Sequence, residues 1–237
     1  MGEVDKIVVS TLWFEKVDDI GEHLDFLYSS GINKLELTPF ANFLSQKSLS
    51  SFYRICEDKG FQIVGWQGIF YGVNRIGDDE WKSRVNELSL LVSDFKPNYL
   101  CFGAPKLRAD LESDIEPVTE FLQKLEQVQI YFEVLSKKFG GGWGSDATEL
   151  LYSFGALQNF NLLYDSYGST ATDCALQDLK PKHLHVSSEG LKNLIIDKNL
   201  KNFLRQYLQS ADYLTVEQMD ISVTDMSSIL SSLKGLI

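Results

Sequence analysis

The sequence predicts a single-domain α/β fold, a (β/α)8 TIM barrel spanning residues 1–237, on three observations. Short apolar, β-rich runs recur eight times with amphipathic stretches between them, the alternation from which parallel sheets are built. The length of 237 residues, 44% of them hydrophobic, suits one barrel of roughly 250 residues. No stretch reads as a linker, since the one Gly cluster, "FGGGWGSD" from Phe139 to Asp146, is short and carries aromatics, unlike the long Gly/Ser or Pro tracts of tethers.

The eight strand candidates, in order, are "IVVSTLW" from Ile7, "KLELTPF" from Lys34, "FQIVGWQGIF" from Phe61, "NYLCFGA" from Asn98, "VQIYFEVL" from Val128, "NLLYDSY" from Asn161, "KHLHVSS" from Lys182 and "DYLTVEQM" from Asp212. Helical spacing marks the segments between them. In "VDDIGEHLDFLYSSG", Ile20, Leu24 and Leu27 share one face before Gly31 supplies a stop. "SLSSFYRICEDKG" ends the same way at Gly60, and "DDEWKSRVNELSLLVSDF" and "KNFLRQYLQSAD" repeat the pattern. An open doubly wound sheet is the structural competitor, but it calls for a Gly-rich phosphate turn after the first strand, and "STLWFEKVDD" holds no glycine.

A formal charge of -11 and a pI near 4.7 argue against nucleic acid and anionic membrane surfaces as partners. A small phosphorylated substrate is still compatible, because net charge does not set the charge of a pocket. The three cysteines, Cys56, Cys101 and Cys174, are far apart and form no CxxC pair, which argues against a disulfide framework and a thiolate zinc site. With no apolar run of signal-peptide length in "MGEVDKIVVS" and no segment near ~20 apolar residues, a cytoplasmic location is expected.

In a barrel of this kind chemistry sits at the C-terminal ends of the strands. Four successive strands carry a polar residue there: Glu133 in "IYFEVL", Asp165 in "LLYDSY", His185 in "HLHVSS" and Glu217 in "LTVEQM". A buried carboxylate needs a partner or a proton. One divalent cation satisfies all four, and three carboxylates with one imidazole suit Mn²⁺, Mg²⁺ or Co²⁺ better than structural zinc, with Zn²⁺ still compatible. His183 and His185 lie two apart and so face the same way. His185, nearer the strand's end, is the ligand candidate, and His183 fills the interior one layer deeper, bonded to a neighbour. His23, in a predicted helix among acids, reads as a surface residue.

At these residues the sequence resembles the xylose isomerase-like TIM barrels, in particular the sugar phosphate isomerase/epimerase family. "GINKLELTPF", "FQIVGWQGIFYG" and "YLCFGAPKLR" resemble that family's second, third and fourth strands, "HLHVSSEGL" its seventh-strand HxH segment and "YLTVEQM" its closing strand. The resemblance implies that Glu133, Asp165, His185 and Glu217 hold one divalent metal ion, and that Glu133 and Glu217 are also the catalytic acid/base pair on opposite faces of the substrate. Two positions depart from it. A histidine three residues after the strand-six aspartate is replaced by Gly168, and the Gly-Glu and arginine that follow the strand-seven histidine are absent from "HVSSEGLKN", though Glu189 and Lys192 lie nearby.

The mechanism implied is proton transfer on a small-molecule sugar or sugar phosphate through an enediolate, one glutamate removing the proton and the other returning it. Lys106 and Arg108 are candidates for an anionic or hydroxyl-rich tail, Glu36 and Gln67 for sugar hydroxyls, and Trp13, Trp66, Phe70 and Trp143 for pocket walls. "SKKFGGGWGSD" has the glycine content of a lid. Rival readings are a lyase or dehydratase on the same barrel and a non-catalytic sugar-binding barrel. An apurinic endonuclease, which needs a histidine-rich zinc cluster and a duplex-binding surface, is excluded by the few histidines and the charge. Barrels of the family often pair, so a homodimer is compatible, although no segment encodes the interface.

Overall fold

A computed structural model of the chain describes residues 3–14, 20–42, 46–103, 110–134, 143–167, 179–188, 194–219 and 221–236. The eight apolar runs are eight strands: β1 Ile7–Ser10, β2 Lys34–Leu37, β3 Gln62–Trp66, β4 Tyr99–Phe102, β5 Gln129–Glu133, β6 Phe160–Asp165, β7 His183–Val186 and β8 Tyr213–Val216. Each pairs in parallel with the next in sequence, and β8 returns to β1 through Ile7 with Leu214 and Val9 with Val216, which closes the barrel. Closure removes the exposed sheet edges an open sheet would leave.

Among the described residues, seven helices of two turns or more surround the strands: α1 Ile20–Ser29, α2 Gln46–Asp58, α3 Asp79–Phe95, α4 Leu111–Lys124, α5 Ala147–Phe154, α6 Lys198–Tyr207 and α7 Val223–Lys234. The helical spacing read in α1 is the buried face seen, with Ile20, Leu24 and Leu27 all inside. Gly31 and Gly60, the two expected stops, lie at φ +72° and +80°, a left-handed conformation that ends a helix cheaply only at glycine. Asp78, Asp110, Asp146 and Asp197 cap α3, α4, α5 and α6, each side chain accepting a backbone N–H of the first turn. The helix expected between β6 and β7 falls on residues 168–178, outside the described residues.

Two layers of packing follow from the strand alternation. Outward-facing residues such as Leu100, Phe102, Ile130, Phe132, Leu184 and Leu214 join the helices in the main core. Inward-facing Val8, Val64, Tyr99, Cys101, Tyr131 and Leu163 fill the barrel itself. Gly65 makes room for one of them, because a Cβ built there would lie 2.1 Å from Cε2 of Tyr99. The Tyr99 ring packs at 4.7 Å from His183, 4.8 Å from Tyr213 and 5.1 Å from Tyr131, centroid to centroid. These four rings plug the floor of the barrel.

Candidate functional site

Above that floor, the pairing register sets the polar residues side by side. Asp165 pairs with His185, and His185 with Thr215, so β6, β7 and β8 end in step, with Glu217 the residue after β8. Ligand atoms of Asp165, His185 and Glu217 all lie within 4.8 Å of one another. His185 Nδ1 is 3.4 Å from Glu217 Oε2. Asp165 and His185 are 4% and 5% exposed, so the trio sits at a mouth where charge is only partly solvated. Asp165 Oδ1 also accepts the N–H of Tyr167, which fixes the carboxylate.

Glu133, the fourth expected ligand, ends β5 but is not drawn into this trio. Its Oε2 lies where a Cβ at Gly103 would stand, 2.0 Å away, so the missing side chain just after β4 lets the carboxylate lean toward β4. Of the four side chains expected to meet at one point, Asp165, His185 and Glu217 come within 4.8 Å of one another, and Glu133 is not part of that group.

Beneath the trio is a second polar group. Glu36 of β2 is fully buried, its Oε1 3.1 Å from His185 Nε2 and its Oε2 3.3 Å from His183 Nε2. Thr215 Oγ1 donates to Glu36 Oε2 at 3.2 Å and lies 3.0 Å from His183 Nε2. Burial would raise the Glu36 carboxyl, but the facing His185 and His183 rings outweigh it and hold the carboxyl well below the usual range. Burial likewise works to lower His185, yet the charges of Glu36 and Glu217 carry the ring well above its ordinary value.

Several expected substrate contacts lie elsewhere. Glu36 is not at the mouth but under His185, because the residue one pleat from the end of β2 points to the barrel axis. Gln67 is 4% exposed and its amide donates to Ser10 Oγ inside the barrel. Trp13 is core: its indole N–H donates to the Ile221 carbonyl at 2.9 Å, and it packs on Phe14 and Phe26. Trp143 donates to Asp114 Oδ2 at 2.8 Å and packs on Phe132 and Phe154, between barrel and helices. Trp66 and Phe70 are likewise packed, against Phe95 and Trp81. His23 is half-buried rather than on the surface, edge-on to Trp13 at 4.6 Å. Lys106, Arg108, Gly168, Glu189, Lys192 and most of the expected lid lie outside the described residues.

The sequence reading missed Cys101, which stands 3.5 Å from Glu36 Oε2 and 3.8 Å from His185 Nε2. Its signal was strand parity: Tyr99 and Cys101 share the inward face of β4, level with Tyr131 on β5.

No protein-family model matches the chain, and no curated protein matches its sequence. Solved structures do match in fold. A xylose isomerase domain containing protein from Salmonella typhimurium is 13% identical with TM-score 0.75, covering 100% of this chain and 99% of its own. D-psicose 3-epimerase from Clostridium cellulolyticum H10 is 14% identical with TM-score 0.63, over 94% of this chain and 89% of its own. The probable 3-DHS dehydratase of petrobactin synthesis from Bacillus anthracis is 13% identical with TM-score 0.67, over 97% and 98%. By closure, strand order and these likenesses, the chain has the fold of a xylose isomerase-like TIM barrel.

Proposed function

We propose that the protein is a divalent-metal-dependent sugar or sugar phosphate isomerase/epimerase. The observation that carries this is the convergence of Asp165, His185 and Glu217 at the ends of three adjacent strands. Their two carboxylates and one neutral imidazole match the charge of a dication and the hard donor preference of Mn²⁺, Mg²⁺ or Co²⁺, with Zn²⁺ compatible. When bound, such an ion supplies Lewis acidity that polarises a carbonyl and its neighbouring hydroxyl.

The chain's own groups then move the proton. Glu217 follows β8 and Glu133 ends β5, three strands apart around the barrel. One removes the proton from the carbon between carbonyl and hydroxyl, and the other returns it. Return to the opposite face of that carbon gives the epimer; return to the adjacent carbon gives the isomer. Lys106 and Arg108 remain the proposed contacts for an anionic tail. An epimerase and a dehydratase both occur among the structural neighbours, and elimination of a β-hydroxyl after the same proton removal is the second reading.

Incubation of the Mn²⁺-loaded protein with ketoses and inososes tests this. A new epimer or aldose, absent with Asp165→Asn and reduced at least ~100-fold in Glu217→Gln, is the expected result. A new enone absorbance would establish elimination instead, and turnover undiminished in both variants would overturn the assignment of the site.

A further inference from the structure

Under the outer trio, Glu36, Cys101, His183 and His185 each present a ligand atom within 4.8 Å of the other three, and all four are buried. Their separations are informative. His183 Nε2 lies 3.3 Å from Glu36 Oε2, Cys101 Sγ lies 3.5 Å from the same oxygen, and Cys101 Sγ lies 3.8 Å from His185 Nε2. A tetrahedral zinc ion, with bonds of about 2.0–2.1 Å to nitrogen or oxygen and about 2.3 Å to sulfur, spaces its donors about 3.3–3.6 Å apart.

A hydrogen-bond network alone accounts less well for one atom. Glu36 Oε1 is buried with no aligned hydrogen-bond donor, and its nearest partner is His185 Nε2, an ion-pair contact at 3.1 Å. A ring nitrogen that approaches a carboxylate oxygen off the line of its N–H suits two donors arranged around a shared centre. Charge agrees, since a carboxylate and a thiolate with two neutral imidazoles cancel a dication, as a low-dielectric interior demands. The donors are softer than those above, with sulfur and two imidazoles in place of oxygen-rich ligands, which selects zinc over manganese or magnesium.

We propose that Glu36, Cys101, His183 and His185 hold a zinc-class dication of their own, beneath the outer trio, with His185 facing the inner ion through Nε2 and the outer site through Nδ1. Binding releases the Cys101 thiol proton and the Nε2 proton of the charged His185 ring to solvent. Occupation of both sites also releases the last His185 ring proton and leaves a bridging imidazolate. The inner site does not require the outer one to be filled.

Full-length protein, stripped of metal under denaturing conditions and refolded with Co²⁺, tests this. The expected result is two cobalt ions per chain and a near-ultraviolet thiolate-to-cobalt charge-transfer band. Cys101→Ser loses the band and one equivalent of cobalt, whereas Asp165→Asn keeps the band and loses the other. One cobalt without the band overturns the inner site and leaves the outer reading standing; one cobalt with a Cys101-dependent band does the reverse. A band that persists in Cys101→Ser belongs to another thiol and overturns the inner site. Should Cys101→Ser fail to fold, the zinc-edge X-ray absorption of the refolded wild-type protein decides: a sulfur scatterer at about 2.3 Å supports the site and its absence refutes it.

Discussion

At Gly65 a hydrogen atom does what no other side chain can. With a Cβ there 2.1 Å from the Tyr99 ring, and that ring fully buried against His183 and Tyr213, alanine must push the ring into a packed floor. Overpacking of this kind costs about 1–3 kcal/mol, so Gly65→Ala is expected to lower the urea midpoint by that equivalent with an unchanged slope. An unshifted midpoint would mean the floor is loose. Part of the candidate site is legible in the sequence. Asp165, His185 and Glu217 announce themselves as polar residues late in apolar runs, and strand parity correctly puts His183 one layer deeper, where it meets Thr215. Trp13 and Trp143, expected as pocket walls, pack into the core, because an aromatic near a strand end carries no sign of direction; the partners of their indole N–H groups, Ile221 and Asp114, supply it.

Elements are held by a few side chains that bridge loops. Arg84 of α3 donates through Nη1 to the carbonyls of Ile69 and Tyr71 at 2.9 and 3.1 Å, and its guanidinium stacks 3.7 Å over the Phe40 ring. It thereby ties the segment after β3 to the helical turn after β2, both at the end of the barrel that carries the site. Its contact with Glu87 is largely solvated and adds little. Charged hydrogen bonds of the first kind contribute about 1.5–3 kcal/mol, so Arg84→Ala is expected to destabilise the fold by about that amount in chemical denaturation. Arg84→Lys should recover less than half, since an ammonium neither stacks flat nor spans two carbonyls in a fixed fork. Full recovery by lysine would show that charge alone matters. The strands and the α1 and α2 stops were readable because period and glycine are local signals. The convergence of β2, β4 and β7 on one buried polar group was not, because it depends on which residues the closed register brings level.

For the whole molecule, stability above neutral pH is set partly by acids kept neutral in the core. Burial pushes the Cys56 thiol up to about 12 from an ordinary 9.0. A folded-state value above the unfolded one means that this contribution is complete below pH 9 and drains away as pH rises toward 12. In the accessible part of that window the loss attributable to Cys56 approaches at most about 1.4 kcal/mol per pH unit. Cys56→Ala should therefore start less stable at pH 7, having lost packing, yet fall less steeply between pH 9 and about 11. Denaturation midpoints collected across that range check it, and parallel curves for the two proteins would show that another group governs alkaline unfolding.

The rings of Tyr99, Tyr131, His183 and Tyr213 give the barrel a bottom. A cylinder stoppered at one end has a single doorway, so any molecule that reaches Asp165 and Glu217 must back out the way it came in. A bulky occupant on its way out will obstruct the next arrival more than it would in a tube open at both ends.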